Sequence, residues 1–246
     1  MSAVESEAPM DVVVVGAHPD DVEIACGGTL AKLAQQGYRI AIVDLTDGEP
    51  TPGCQDPSVR REEAMAAAKI LGVHERVILD LPNRRLFDTF EARVALGTQL
   101  RRLRPRLVIG FGGKTPMASP DHWQAMQITD AGIFYSRLTK WDEHFGGLPV
   151  HAVGAQLYFH LGFEAIESQS NLGQLVVDIG DTVAAKLASI RCYKTQFPPA
   201  KEHVFKRVEA AAQYAGAQAG FAAGEVFSSP RMIPSTDLLK SVFPSW

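Results

Sequence analysis

Cysteine is scarce in this chain. Cys26, Cys54 and Cys192 are odd in number and show no C-x-x-C spacing. That excludes a disulfide framework and fits free thiols in a reducing compartment, so a cytoplasmic location is expected. No run reaches the roughly 18 apolar residues of a membrane span. The stretch Met1–Met10 is acidic and lacks an apolar core, so it does not read as a signal peptide. A basic excess is absent too. The net charge is −4 and the pI about 6.0, which gives no electrostatic case for nucleic acid. The one basic cluster, Arg101, Arg102, Arg104 and Arg106, falls at a predicted helix end, where cations complement the helix dipole. Internal repeats, low-complexity linkers and a clear domain boundary are also missing. A chain of 246 residues can bury a full core, and residues 1–246 are expected to form one domain.

What is present is an alternation of apolar runs with helix-period segments. Strands are expected at Val12–Val15, Arg39–Leu45, Arg76–Leu79 and Leu107–Gly110. Between them lie helices at Thr29–Gln36, stopped by Gly37; at Ser58–Leu71, with Ser58 as cap and Gly72 as stop; and at Asp88–Leu103, with Asp88 as cap. A fourth helix is expected over Asp121–Arg137. The segments Thr46–Pro57 and Gly112–Pro120 are rich in turn residues and read as loops beside strand ends. This is the pattern of an α/β fold with a Rossmann-like, mostly parallel sheet and helices on both faces. A C-terminal αβ segment extends it. There His151–Phe159 and Leu175–Ile179 read as strands, Thr182–Tyr193 as a helix, and the residues after Phe197 as an Ala/Gly-rich helical stretch with a Pro-punctuated tail.

The chemistry concentrates at the end of the first strand. Gly16-Ala17-His18-Pro19-Asp20-Asp21-Val22-Glu23 leaves it through one imidazole and two carboxylates, closed by Gly27-Gly28. The glycine-rich phosphate loop of a dinucleotide site is lacking there, and two adjacent carboxylates would repel a pyrophosphate. Ligands of such sheets sit beyond the carboxyl ends of the strands where strand order reverses, between the first and fourth strands in a Rossmann-like order. The fourth strand is followed by Ser119-Pro120-Asp121-His122. Two His/Asp clusters about a hundred residues apart are therefore expected to meet. Two imidazoles and a carboxylate with an open position form a catalytic zinc pattern, and a further carboxylate can take a proton from water. His18, Asp21 and His122 suit the ligand roles, and Asp20 suits the base. Taken singly, each has an ordinary reading: an Asp caps a helix, and a His sits satisfied in a core.

Ala17-His18-Pro19-Asp20-Asp21-Val22-Glu23 resembles the AHPDDxE signature of the PIG-L/LmbE-like zinc deacetylases, which remove acetyl groups from N-acetylglucosamine-type compounds. Thr46-Asp47-Gly48-Glu49 is similar to the family's TxGE loop. Arg60-Arg61-Glu62-Glu63-Ala64 is similar to its RxxEA helix start, and Pro120-Asp121-His122 to its second metal motif. Val177-Asp178-Ile179 with Lys186, and the stretch Gly216–Phe227, resemble C-terminal patterns, the latter of the bacillithiol-pathway branch. The resemblance implies His18, Asp21 and His122 as ligands of Zn2+ or another divalent metal, and Asp20 as base and then acid. It implies Arg60 as a substrate-contacting residue, and a small N-acetylated sugar conjugate as substrate, with a glucosaminyl-malate precursor the first guess. Neither nucleic acid nor a membrane is expected as partner, and a homo-oligomer is.

The chain departs from the family at Ser119, where an HPDH motif would place a histidine that helps hold an oxyanion. A hydroxyl donates a hydrogen bond but carries no positive charge, and losing one oxyanion donor costs about 10²–10³ in rate. Ser119 is kept as a substrate-side residue. Lys114, Thr115 and His160 are replacement candidates by location. Tyr193-Lys194-Thr195-Gln196 stands where relatives carry His-x-Ser-Gln, and no catalytic role is assigned to it. Rival readings are a zinc hydrolase of another N-acyl amide, a metal-binding protein without catalysis, and a nucleotide-binding α/β protein.

Overall fold

A computed structural model of the chain describes residues 8–161 and 173–236. The acidic residues 1–7 and the end of the Pro-punctuated tail lie outside them. Four βα units come first: β1 (Val12–Gly16), α1 (Asp21–Gln35), β2 (Ile40–Asp44), α2 (Pro57–Leu71), β3 (Glu75–Ile78), α3 (Phe90–Leu103), β4 (Leu107–Phe111) and α4 (Asp121–Ser136). Then follow β5 (Ala155–Phe159), β6 (Gly173–Asp178), α5 (Val183–Ile190), α6 (Glu202–Ala217) and β7 (Gly224–Ser229). All seven strands form one sheet in the order β3-β2-β1-β4-β5-β7-β6. The first five are parallel, while β7 runs antiparallel to both β5 and β6.

Why this sheet forms is plain from the strands. Val13, Val14, Val15, Ile40, Ile42, Val43 and Val108 are wholly buried. Near-continuous β-branched runs mark a parallel sheet covered on both faces. The chain moves from β1 to β2 to β3 in one direction, then returns past β1 to β4 and β5. Right-handed crossovers therefore place α1 and α2 on one face and α3 and α4 on the other. Accordingly α3 packs on α4, and α1 and α2 pack with α5. The strand order reverses between β1 and β4, as the sequence pattern required for the two His/Asp clusters to meet.

Several local expectations are corrected. α1 begins at Asp21 rather than Thr29, so the His/Asp motif runs straight into a helix. Gly27 and Gly28 lie inside that helix, behind a break at Cys26, whose φ of −142° and ψ of 22° are non-helical. Side chains inserted from far along the chain heal the break. Glu225 accepts from the Gly28 amide (3.0 Å) and the Thr29 amide (2.7 Å), while Lys186 Nζ donates to the Ile24 carbonyl (2.7 Å) and to Glu225 Oε1 (2.5 Å). In an unbroken helix the Gly28 amide would bond the Ile24 carbonyl. An ion pair has been inserted into that single bond. Gly28 also has no room for a side chain, since a Cβ would meet Ile179 at 2.8–3.0 Å.

The cap of α2 is Asp56, which accepts from the Ser58 amide at 2.9 Å, with Pro57 in the first helical position. The cap of α3 is Thr89, because Asp88 is engaged by Arg93. Arg101 does not serve the helix dipole at the surface. It is 1% exposed, donates to the carbonyls of Ser136, Leu138 and Leu148, and lies 3.8 Å over the Phe145 ring. β5 starts at Ala155, four residues later than expected, because His151 is held outside the ladder by the Pro105 carbonyl (2.7 Å). β7 falls in a stretch expected to be helix and tail. Among the described residues no helix is long and apolar enough to cross a membrane.

Candidate metal centre

The carboxyl end of β1 is the hub. Gly16 and Ala17 leave the strand, and the Asp21 carboxylate turns back on it: Oδ2 accepts from the Ala17 amide (3.1 Å) and the His18 amide (2.8 Å). Those bonds fix the carboxylate before any ligand arrives. His18 Nδ1 lies 3.3 Å from Asp21 Oδ2, and His122 Nε2 lies 3.3 Å from Asp21 Oδ1. Thus β1 and α4 deliver two imidazoles to opposite oxygens of one buried carboxylate. One ligand-capable atom each from His18, Asp21 and His122 lies within 4.8 Å of the others.

The surroundings hold these rings in place. His122 stacks on Phe111 at 4.6 Å between ring centres, and its Nδ1 is 2.6 Å from the Thr115 hydroxyl. His18 Nε2 is 3.2 Å from Asp121 Oδ2, which also accepts the Arg84 amide at 2.6 Å. Asp121 therefore orients His18 instead of capping α4. No motif marks Thr115 as the partner of His122; its place seven residues ahead, in the turn-rich loop, is the one available signal.

The donor set fits a divalent cation. Both nitrogens of His18 face carboxylate oxygens, so a neutral ring must point one lone pair at a negative oxygen. A proton or a cation has to stand between them. Burial alone would lower the His18 pKa, but Asp21 and Asp121 raise it to about 10. Burial would likewise raise Asp21, yet His122 and His18 hold its carboxyl well below the usual range. A ligand set of two histidines and one carboxylate suits zinc and leaves a position open.

Asp20 stands apart from this set. Its side chain caps nothing, and its backbone sits at φ 117°, ψ −27°, a left-handed region that non-glycine residues seldom enter. Burial lifts its carboxyl to about 7, against the pull of Arg60. Arg60 is 2% exposed; its Nη2 donates to the Pro19 carbonyl (2.5 Å) and to Asp20 Oδ2 (3.2 Å). Glu23, the last acid of the motif, faces the other way. It accepts from Arg76 (2.5 Å) and the Tyr193 hydroxyl (2.8 Å), and Arg76 forks onto Asp44. The Tyr193–Gln196 segment thus supports the motif from behind, with Thr195 on Glu63 and Gln196 on Thr51.

Ser119 lies at the entry to α4, where its hydroxyl accepts from the Asp121 amide at 3.3 Å. The three replacement candidates each have a partner. Thr115 bonds His122, His160 bonds the Ser228 hydroxyl at 2.8 Å, and the Lys114 ammonium lies 5.3 Å from the Trp123 ring centre.

The family model described as PIG-L, GlcNAc-PI de-N-acetylase, matches residues 13–132. The diacetylchitobiose deacetylase of Thermococcus kodakarensis is 29% identical over 198 residues, covering 76% of this chain and 70% of that protein. The 4-oxalmesaconate hydratase of Pseudomonas putida is 29% identical over 250 residues, covering 94% and 89%. Among solved structures, a conserved protein from Thermus thermophilus is 31% identical with a TM-score of 0.79, covering 92% of this chain and 97% of its own. With the HPDD motif at the end of β1, His122 opposite it and the sheet order that joins them, the chain belongs to the PIG-L family.

Proposed function

We propose that this chain is a zinc-dependent amide hydrolase that removes the acetyl group from an N-acetylglucosamine-type small molecule. The observation that carries the reading is the placement of Asp20. It is a half-buried carboxylate with no capping duty, beside a His18–Asp21–His122 set that fits a cation. The diacetylchitobiose deacetylase and the 1D-myo-inositol 2-acetamido-2-deoxy-alpha-D-glucopyranoside deacetylases among its relatives support the substrate class.

His18, Asp21 and His122 would hold the metal, which supplies Lewis acidity toward the amide carbonyl and makes water more acidic. Asp20 takes a proton from the attacking water as its oxygen bonds the acetyl carbon. The carbon–nitrogen bond then breaks, Asp20 returns the proton to the departing amine, and acetate and a free amino sugar leave. Burial pushes the Asp20 carboxyl up from the usual carboxylate range, which favours its taking a proton. Asp121 and Thr115 keep the two imidazoles in register. Ser119 is the substrate-side hydroxyl of this reading. A glucosaminyl-malate precursor is the first conjugate to try, and the working form is a homo-oligomer in the cytoplasm.

The test is metal analysis of the purified protein, then acetate release from N-acetylglucosamine, N,N′-diacetylchitobiose, N-acetylglucosaminyl-malate and simple N-acyl amines. About one zinc per chain and turnover confined to the sugars is the expected result. Asp20→Asn should keep the metal and lose about 10²–10⁴ in kcat. Near-normal turnover by Asp20→Asn, or full metal occupancy in His18→Ala, would overturn the assignment. A second reading, addition of water to a carbon–carbon double bond, draws on the hydratase whose match spans 94% of this chain. Turnover of 4-oxalmesaconate without acetate release from any sugar would favour it.

A further inference from the structure

We infer that Arg84 is a specificity-determining residue: its guanidinium receives an anionic group, carboxylate or phosphate, that the substrate carries apart from the acetyl group. The inference deepens the proposed function and rests on it for the reaction. Three observations carry it.

First, Arg84 is fastened to the metal centre by its own backbone. Its amide donates to Asp121 Oδ2 at 2.6 Å, and the same oxygen lies 3.2 Å from His18 Nε2. The Asp121 amide in turn donates to the Ser119 hydroxyl at 3.3 Å. Two hydrogen bonds therefore separate the main chain of Arg84 from a ring of the His18–Asp21–His122 set. Its side chain is exposed, so it starts beside the centre and ends in solvent at the rim.

Second, a glycine would fit this backbone better. The Arg85 amide donates to the Pro82 carbonyl at 3.2 Å, closing a turn with Arg84 in its third position at φ 61°. A positive φ there favours glycine. The loop on the other side of the centre repeats the device. The Ala118 amide donates to the Thr115 carbonyl at 3.1 Å, and Met117 holds the third position at φ 60°. Thr115 is the partner of His122, as Asp121, bonded by Arg84, is the partner of His18. Each imidazole is braced through a turn, and each turn holds a long exposed side chain where glycine would be relaxed. Strained residues of this kind collect at ligand clamps, where their surroundings hold them.

Third, the guanidinium has no partner of its own. Among the described residues it forms no ion pair or hydrogen bond, although acids outnumber bases in this chain. The acids of its own loop do not answer it. Asp88 is engaged by Arg93, and Asp80 forms no ion pair among the described residues. Even at the surface, Arg191 forks onto Glu202. Lys114, next to Thr115, is exposed as well, with its ammonium against Trp123. Positive charge flanks the centre from both turns. A guanidinium fork matches the paired oxygens of a carboxylate or phosphate.

The experiment compares metal-loaded wild type with Arg84→Gly, which keeps the amide on Asp121, suits the backbone and removes only the side chain. Acetate release is measured on N-acetylglucosaminyl-malate and N-acetylglucosamine 6-phosphate, with neutral N,N′-diacetylchitobiose beside them. In Arg84→Gly, KM for an anionic substrate should rise about 10-fold or more, the size expected of a charge-assisted bond. Its kcat, and both constants for the neutral sugar, should change by no more than about twofold. The malate and phosphate arms tell the two anions apart. Salt at about 1 M should erase the wild-type preference for the anionic compound, because exposed charges are screened at that strength, and should leave Arg84→Gly unaffected. An equal rise in KM for charged and neutral sugars, or a fall in kcat for all of them, would overturn the inference. Should Arg84→Gly fail to fold, Arg84→Asn, also tolerant of positive φ, decides in its place. Should the wild type release acetate from no sugar, the deacetylase reading falls alone. Calorimetric titration of both proteins with the malate conjugate, the sugar phosphate and 4-oxalmesaconate then decides. Weaker binding of an anion to Arg84→Gly would uphold the anion site; equal binding, or binding of none, would overturn it.

Discussion

Replacing Glu225 by alanine should be among the most damaging single changes outside the metal set. Its carboxylate is 4% exposed and has three partners: the amides of Gly28 and Thr29 and the ammonium of Lys186. Removing it strands a buried ammonium whose remaining partner is the Ile24 carbonyl. Breaking a buried ion pair from one side costs about 3–5 kcal/mol. Each amide left dry adds about 1–3 kcal/mol, but all three groups share one small space, so the terms do not sum freely. A loss of at least about 3 kcal/mol is expected, from a total of about 5–15 for an ordinary domain. Lys186→Met/Glu225→Leu should lose less than the two single variants together, because no charge is left unpaired. Urea titration of metal-stripped protein, followed by tryptophan fluorescence, measures the wild type and each variant, and equal m-values would confirm a shared unfolded reference. A Glu225→Ala protein within about 1 kcal/mol of wild type would refute this account of how the α1 break is closed.

Other outcomes follow from the same contacts. Thr115→Val removes the hydroxyl from His122 Nδ1 at nearly constant volume, and calorimetric zinc titration should show affinity reduced about 10–100-fold. Gly28→Ala drives a Cβ into Ile179 at 2.8–3.0 Å and should cost about 1–3 kcal/mol in the same urea assay, although alanine favours helix. The pH dependence has a definite sign. His18 rises from 6.5 to about 10 on folding, so its contribution is complete below pH 6.5 and disappears as pH climbs toward 10. Metal-stripped protein should therefore lose stability over that window, and His18→Gln should flatten the slope. Asp21 acts at the other end. Its folded carboxyl lies below the usual range, so its contribution is lost as pH falls below about 4, and Asp21→Asn should remove that part of the acid sensitivity.

How much was legible depended on how far apart in sequence the cooperating residues lie. The strands β1, β2 and β4 announce themselves through buried β-branched runs, and strand order then brings His18 and His122 together. Local competition was harder to read. Asp56 took the cap expected of Ser58 because Pro57 fixed the first helical position, and Arg93 drew Asp88 away from the cap of α3. The start of α1 was missed for a long-range reason. Gly27-Gly28 looks like punctuation, and only Lys186 and Glu225, about 160 and 200 residues further on, let a helix run through it. β7 is short and follows an Ala/Gly-rich helix, so its alternation had little length in which to show. Arg101 belonged to a basic cluster whose ordinary home is solvent; the carbonyls that bury it come from a connection with no pattern of its own. At the site, residue types indicated which side chains suit the metal and the proton. Their supports, Thr115 and Tyr193, are ordinary residues whose duties arise only from contact.

The ion pair inserted in α1 also sets an order of events during synthesis. Gly28 and Glu225 are 197 residues apart. At about 5–20 residues per second, roughly 10–40 seconds pass between the two leaving the ribosome. Through that interval the helix carrying Asp21 has an open turn, and the sheet lacks its antiparallel edge. His18, Asp21 and His122 are all made before this, His122 the last of them, yet the ion pair that closes α1 arrives with β7. Closure of the α1 break is thereby tied to a late-made strand, and a chain truncated ahead of it would carry His18, Asp21 and His122 with the turn at Cys26 still open.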